Sequence, residues 1–198
     1  MSELLEILTD DEKSPLLDKV QKELYKERVL YLNEDISGYT IDNIVPLIKL
    51  INIQDEKNSI APENRKIIEL HITSAGGSAY DGFVLLSEIE NSVTPIHTYC
   101  TGFAMSMALP LFLAGKKRFM GKYCTLLYHE LRGGIQGTRE EVKRLDKEYD
   151  RLQKVYDEFI MSRSSITQDV LDGHQEKVSD WYIDAETAGK YKMYDFLI

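Results

Sequence analysis

The chain has 198 residues, 43% of them hydrophobic and 29% charged, with a formal net charge of -9. That length suits one α/β domain with its own core, with or without a small appendage. The acidic balance excludes a general nucleic-acid or anionic-membrane binder, because either needs a basic surface.

Residues 1–13 carry Glu3, Glu6, Asp10, Asp11 and Glu12 against Lys13. They are expected to be poorly ordered, and they lack the charged-then-apolar layout of a signal peptide. Residues 14–27 read as a helix with Ser14 as cap and Pro15 at the first helical position. Residues 28–32 read as a short buried strand, followed by a turn through Gly38. Ile41, Ile44, Val45, Ile48 and Ile51 recur at helical spacing, and residues 54–64 read as a polar loop. Residues 66–73 form a strand that ends in Ser74-Ala75-Gly76-Gly77-Ser78, where a helix begins.

The pattern repeats with a strand at 95–100, a turn opening at Gly102 and a small-residue helix from about Phe103 to Ala114. Short strands are predicted near 117–120 and 125–129. This alternation predicts an α/β domain with a largely parallel sheet and right-handed crossovers. The longest apolar stretch, 103–115, is too short to span a bilayer. Cys100 and Cys124 lie in apolar runs without metal-type spacing and read as buried thiols. The expected location is the cytoplasm or an equivalent reducing compartment, such as a plastid stroma or an infected host's cytosol.

After His129 comes a glycine-rich stretch, then Thr138 with Glu141 three residues on, a capping-box spacing. Val142, Leu145, Tyr149, Leu152, Tyr156 and Phe159 follow at steps of three and four. That is a long amphipathic helix, 138–163, whose narrow seam calls for a partner helix. The expectation is that other subunits bury the seam. A short helix near 167–172, an aromatic strand at 180–183 and a last helix from Asp184 or Ala185 complete the chain.

Glycine marks two strand-to-helix junctions, 74–78 and 102–107, and sites in open α/β sheets gather at such strand ends. Free N–H groups at a helix start can stabilise a negative oxygen, and glycine lets the backbone approach a ligand. Together they suggest Ser106 as a nucleophile, with the Gly77 and Met107 N–H groups as an oxyanion hole. Read alone, Gly-Gly is a tight turn and Ser106 a packing residue. A serine nucleophile needs a base. His71 and His97 lie inside strands, and His174 lies in a polar stretch expected at the surface. His129 closes the apolar run TLLY at a strand end, where a base belongs, although on local grounds alone a structural role is slightly favoured. The carboxylate to orient it is Asp180, Asp184 or Asp195. Asp184 has a ready explanation as a helix cap and Asp195 as a turn residue, which leaves Asp180 the least explained.

In order, these landmarks resemble the Clp protease proteolytic subunit family within the crotonase-like superfamily. The segment 26–32 is similar to the family's entry strand, and Thr73-Ser74-Ala75-Gly76-Gly77-Ser78 to its Asn-Ser-Pro-Gly-Gly turn. Gly102-Phe103-Ala104-Met105-Ser106-Met107 is similar to its nucleophile motif. His129 matches its strand-ending histidine, and 133–137 its handle strand. Asp180-Trp181-Tyr182-Ile183 resembles the segment that carries its triad aspartate. The match spans about residues 24–196, and the ordered set is far more specific than any single motif.

The resemblance implies a ClpP-like α/β fold, a repeated β-β-α spiral core with a protruding handle at about 131–163, in a peptidase domain over 26–198 preceded by a segment over 1–25. It implies a serine endopeptidase with Ser106, His129 and Asp180 as triad, acting on peptides and unfolded proteins. It implies self-assembly into two stacked heptameric rings, a tetradecamer, fed by an AAA+ unfoldase that uses the ATP. The subunit itself needs no cofactor and no metal. Several positions depart from the family pattern: Ala75 replaces proline, Glu130-Leu131 replaces Gln-Pro, the 54–64 loop is longer, and residues 1–25 do not match the axial loops that meet an unfoldase. The competing readings are a catalytically silent ring subunit and a crotonase-type acyl-CoA enzyme. The latter would show basic residues for nucleotide phosphates.

Overall fold

The computed structural model describes residues 16–134, 136–177 and 179–198. The acidic segment at 1–13 and the cap expected at Ser14-Pro15 lie outside the described residues. Helix α1 (Leu16–Lys26) leads into strand β1 (Val29–Leu32) through Arg28, which has a positive φ of 64°. Helix α2 (Gly38–Lys57) follows, then a short 3-10 turn at Pro62–Asn64, β2 (Ile68–Ile72), α3 (Ala79–Asn91) and β3 (Ile96–Cys100). The chain continues through β4 (Phe103–Met105), α4 (Ala108–Leu113), β5 (Lys117–Met120) and β6 (Thr125–Tyr128). The remainder is α5 (Arg139–Ser162), α6 (Gln168–Gln175), β7 (Trp181–Ile183), α7 (Ala185–Lys190) and β8 (Phe196–Leu197).

Strands β1-β2-β3-β5-β8 form an all-parallel sheet, and β4-β6-β7 form a smaller one in which only the β6–β7 pair is antiparallel. This is the expected α/β architecture. One face of the large sheet buries Leu30, Leu32, Ile68, Leu70, Ile72 and Ile96 against the helices. Alternate residues on its other face, Tyr31, His71, Tyr99, Phe119 and Phe196, stack ring on ring at centroid spacings of 5.0, 4.7, 4.5 and 4.8 Å.

Several elements differ from expectation. The helix expected over 103–114 divides into β4 and α4. A short apolar run does not choose its period by itself, and here Ala104 is claimed by neighbours on both sides. It bridges to Ser74 and pairs with Leu126. Helix α2 continues through residues expected in the 54–64 loop. The fully buried Asp55 anchors its last turn by pairing with Arg28 and accepting from Thr94 Oγ1 at 2.8 Å. Its carboxyl is held below the usual range, chiefly by the Arg28 hydrogen bond. Residues 131–134 form no strand within this chain.

The helix at α5 begins as expected. Thr138 and Glu141 cap each other's backbone, with Thr138 N–H donating to Glu141 Oε2 at 2.7 Å. Its seam, however, divides. Leu152 is 5% and Tyr156 1% exposed within the single subunit, whereas Leu145 is 40% exposed. The C-terminal half therefore packs on its own core, and only the N-terminal half projects with its apolar residues uncovered. No helix among the described residues is long and apolar enough to cross a membrane.

Candidate active site

The two glycine-marked junctions, far apart in sequence, meet in space. Ser74 N–H donates to the Phe103 carbonyl at 3.1 Å and Met105 N–H to the Ser74 carbonyl at 3.0 Å, which zips the 74–78 turn onto β4. On its other side the turn pairs with Ile36: Ile36 N–H donates to Gly76 O and Ser78 N–H to Ile36 O, both at 2.8 Å. Both glycines adopt positive φ, 100° at Gly76 and 146° at Gly77. A Cβ on Gly76 would fall 2.7 Å from both the Met105 oxygen and the Ser106 Cβ, and 3.0 Å from Met107 N. Only glycine lets this turn lie against the serine.

Ser106 stands between β4 and α4 with a φ of 51°, left-handed for a residue with a side chain. Such a conformation costs on the order of 1–3 kcal/mol and persists where surrounding bonds hold it. Three do so here. Ser106 N–H donates to Leu127 O at 3.0 Å, and the Ser106 carbonyl accepts from Leu109 N–H at 2.9 Å and from the Tyr156 hydroxyl at 3.0 Å. Among the described residues, neither the Gly77 N–H nor the Met107 N–H donates to a protein oxygen. The Met107 side chain packs against Gly82 of α3.

Strand register brings the remaining candidates to the same end. Met105 pairs with Leu127, so His129 follows β6 beside the Ser106 turn. Tyr128 pairs with Trp181 in the antiparallel ladder, so the next step outward sets His129 opposite Asp180. The side chains are not bonded in series in this conformation. His129 Nδ1 lies 2.6 Å from the Glu130 carbonyl oxygen, and Asp180 is paired with Arg132. A carbonyl only accepts, so Nδ1 carries a proton in this contact.

Both rival carboxylates have structural employment. Asp184 caps α7 by accepting from Thr187 N–H at 2.8 Å, and this bond holds its carboxyl low. Asp195 accepts from Arg118 through both oxygens. His71 is stacked between Tyr31 and Tyr99, and His97 is tilted against Phe119. His174, expected at the surface, is partly buried. It stacks on Trp181 at 4.3 Å and lines a small cavity of about 50 Å³ with His129, Glu130, Arg132, Gln175 and Ser179. A larger cavity of about 430 Å³ starts at Glu130 and runs along α5, with Asp146 and Asp150 in its wall, but Ser106 does not line it.

Behind His129 lies a buried polar cluster that sequence reasoning missed. The Tyr128 hydroxyl donates to Asp157 at 2.7 Å, Gln153 donates to the same oxygen at 2.9 Å, and Gln175 donates to the other at 2.8 Å. Gln153 also accepts from Leu131 N–H at 2.7 Å. Burial pushes the Asp157 carboxyl up, and the three donors offset part of that. The cluster bolts α5 and α6 to Tyr128, the last residue of β6, just before His129. The signal for it in the sequence was only a set of polar residues on an amphipathic helix, which also describes a solvated face.

The left-handed Ser106, His129 and Asp180 thus lie at one end of the small sheet β4-β6-β7, beside the larger parallel sheet. The family model described as Clp protease matches residues 12–198, and the chain belongs to that family. Similar curated proteins agree. ATP-dependent Clp protease proteolytic subunit 1 of Prochlorococcus marinus subsp. pastoris is 25% identical over 194 residues, covering 97% of this chain and 94% of that one. Proteolytic subunit 2 of a Synechococcus strain is 27% identical over 181 residues, 90% of this chain and 87% of the relative. The proteolytic subunit of Bacteroides fragilis is 27% identical over 175 residues, 87% of this chain and 79% of the relative.

Proposed function

We propose that the chain is an active serine endopeptidase subunit that cleaves peptides and unfolded proteins through an acyl-enzyme. The observation that carries this reading is the Ser106 turn. A left-handed serine, whose backbone is held by two backbone bonds and the Tyr156 hydroxyl, adjoins two N–H groups without protein acceptors, and strand register places at the same sheet end a histidine whose Nδ1 is engaged by a carbonyl.

Ser106 Oγ attacks the peptide carbonyl while His129 Nε2 takes its proton. The oxyanion then accepts from the Gly77 and Met107 N–H groups. His129 returns the proton to the leaving amine, and a water molecule repeats the sequence to release the acid. Asp180 serves the imidazolium by accepting from Nδ1. For this it exchanges Arg132 for His129, and His129 exchanges the Glu130 carbonyl for Asp180. Until that exchange, the Glu130 carbonyl keeps the productive tautomer.

Assembly into paired heptameric rings fits the uncovered half of α5, with Val142 and Leu145 exposed. An ATP-driven unfoldase as feeder fits the family, and the aromatic outer face of the sheet is the kind of apolar band that protein partners cover. The cytoplasm or another reducing compartment suits two free thiols. A second reading, a silent subunit, draws on the Arg132–Asp180 pair, which withholds the aspartate.

Hydrolysis of a fluorogenic peptide tests the proposal. The wild-type protein turns it over. Ser106→Ala and His129→Ala abolish turnover while circular dichroism and particle size stay unchanged. Turnover that survives Ser106→Ala overturns the assignment, and a wild-type protein without turnover favours the silent reading.

A further inference from the structure

We propose that Cys100 and Cys124 are a redox-active dithiol that closes to an intrachain disulfide when the protein meets a hydroperoxide. Cys100 is the last residue of β3, and Cys124 stands in the turn before β6. Both are free and buried. Their sulfurs are 3.1 Å apart, and the Cys124 thiol donates to the Cys100 carbonyl at 2.6 Å. The backbone fixes this contact. Gly121 N–H donates to Cys100 O at 2.7 Å, Cys124 N–H to Gly121 O at 2.9 Å, and Thr125 N–H to Gly102 O at 3.1 Å. A disulfide is about 2.05 Å long, so closure requires the sulfurs to approach by only about 1 Å.

Two thiols in one core could be mere packing, as the sequence suggested, but the electrostatics separate their roles. The Cys100 thiol is pushed up by its hydrogen bond to Cys124 and by burial. The Cys124 thiol is lowered by its contact with Cys100, against an opposing push from burial, with the backbone at Gly121 and Thr125 assisting. Position decides which sulfur a peroxide meets first: Cys124 adjoins the exposed turn at 121–123, whereas Cys100 ends a buried strand. Access needs only a local event. Cys124 follows Lys122 and Tyr123, and Tyr123 is 85% exposed, so the turn at 121–123 can open while the core stays closed.

The Cys124 thiolate attacks one peroxide oxygen, the O–O bond breaks, and the departing oxygen leaves as an alcohol or water after taking a proton. Cys124 is now a sulfenic acid. The Cys100 sulfur attacks the Cys124 sulfur and displaces hydroxide, which leaves as water with the Cys100 proton. Two thiols are oxidised to one disulfide, and one hydroperoxide is reduced to an alcohol (or water) and water. The segment between the two sulfurs contains β4, Ser106 and α4, so the bond would fasten the end of β3 to the entry of β6 around that segment.

The test is intact mass spectrometry of the full chain after graded hydrogen peroxide, followed by unfolding and alkylation with iodoacetamide. The wild-type protein should lose the mass of two hydrogens, leave both cysteines unalkylated, melt at a higher temperature and revert with dithiothreitol. Cys100→Ala should leave a sulfenic acid at Cys124 that dimedone traps, whereas Cys124→Ala should leave Cys100 unreacted at the same dose. The readout needs no peptidase activity. The proposal is overturned if both wild-type thiols still take iodoacetamide after peroxide, or if the cross-link joins two chains.

Discussion

Asp180 and His129 flank Tyr128–Trp181, the last pair of the β6–β7 ladder, yet the Asp180 carboxylate is bound to Arg132, three residues beyond that histidine. Arg132 is 60% and Asp180 31% exposed at the side chain, so the pair is a surface ion pair on one side. Such pairs are worth about 0–1 kcal/mol. The hold on the aspartate is therefore light enough for a bound substrate or a neighbouring subunit to release.

Arg132→Ala is expected to raise kcat/KM for a short peptide by up to about fivefold, the equivalent of about 1 kcal/mol. Added salt should move the wild-type enzyme in the same direction by screening the pair. Asp180→Asn should be severely impaired, because it can hold the wrong imidazole tautomer. A loss of activity in Arg132→Ala would show that the arginine helps rather than withholds. Steady-state kinetics at two ionic strengths decides.

The Tyr156 hydroxyl reaches from α5 to the Ser106 carbonyl. Tyr156→Phe keeps the ring and its stack on Tyr128, whose centroid is 5.8 Å away, and loses only the bond. Stability should fall by about 1 kcal/mol in denaturant titration, with kcat lowered and KM unchanged. An unchanged kcat would mean that the Leu127 and Leu109 bonds hold the turn without it.

Asp157 gives a pH signature. Burial raises its folded-state pKa, so above the ordinary aspartate range the folded protein holds a proton that the unfolded chain has released. Stability then declines as pH rises from the unfolded value of about 3.8 through the folded one. Asp157→Asn cannot titrate and loses an acceptor for Gln175. The gap in melting temperature between wild type and variant should be widest at the acid end and narrow as pH rises. A gap that widens instead would show that the hydrogen bonds from Tyr128, Gln153 and Gln175 outweigh burial.

The divided seam of α5 separates assembly from folding. Leu145→Glu, in the uncovered half, should give smaller particles in analytical ultracentrifugation with an unchanged far-UV spectrum. Leu152→Glu places a carboxylate in the subunit's own core and should unfold the chain before assembly can be judged. Unchanged particles for Leu145→Glu would mean that this half of the helix stays in solvent.

The candidate site could be drawn from the sequence because its residues sit at local punctuation. Gly76-Gly77, the Ser106 junction, His129 at the end of an apolar run and the Thr138–Glu141 box each have short-range signatures. What was not legible depends on distant partners. Ala104 is a strand residue because Ser74 and Leu126 flank it. The last turn of α2 persists because Arg28 reaches Asp55. Strand β8 is two residues long and exists only through pairing with β5. Tyr156 looked like seam, and nothing near it in sequence points to the Ser106 carbonyl.

The proposed peptidase chemistry rests on Ser106 being an activated nucleophile. Intact mass after incubation with a fluorophosphonate tests that most directly, because the reagent reports the serine whether or not any peptide suits the enzyme. One adduct per chain is expected, mapped to Ser106, absent in Ser106→Ala and strongly slowed in His129→Ala. A folded, assembled wild-type protein that takes no label, or takes it at another residue, would contradict it.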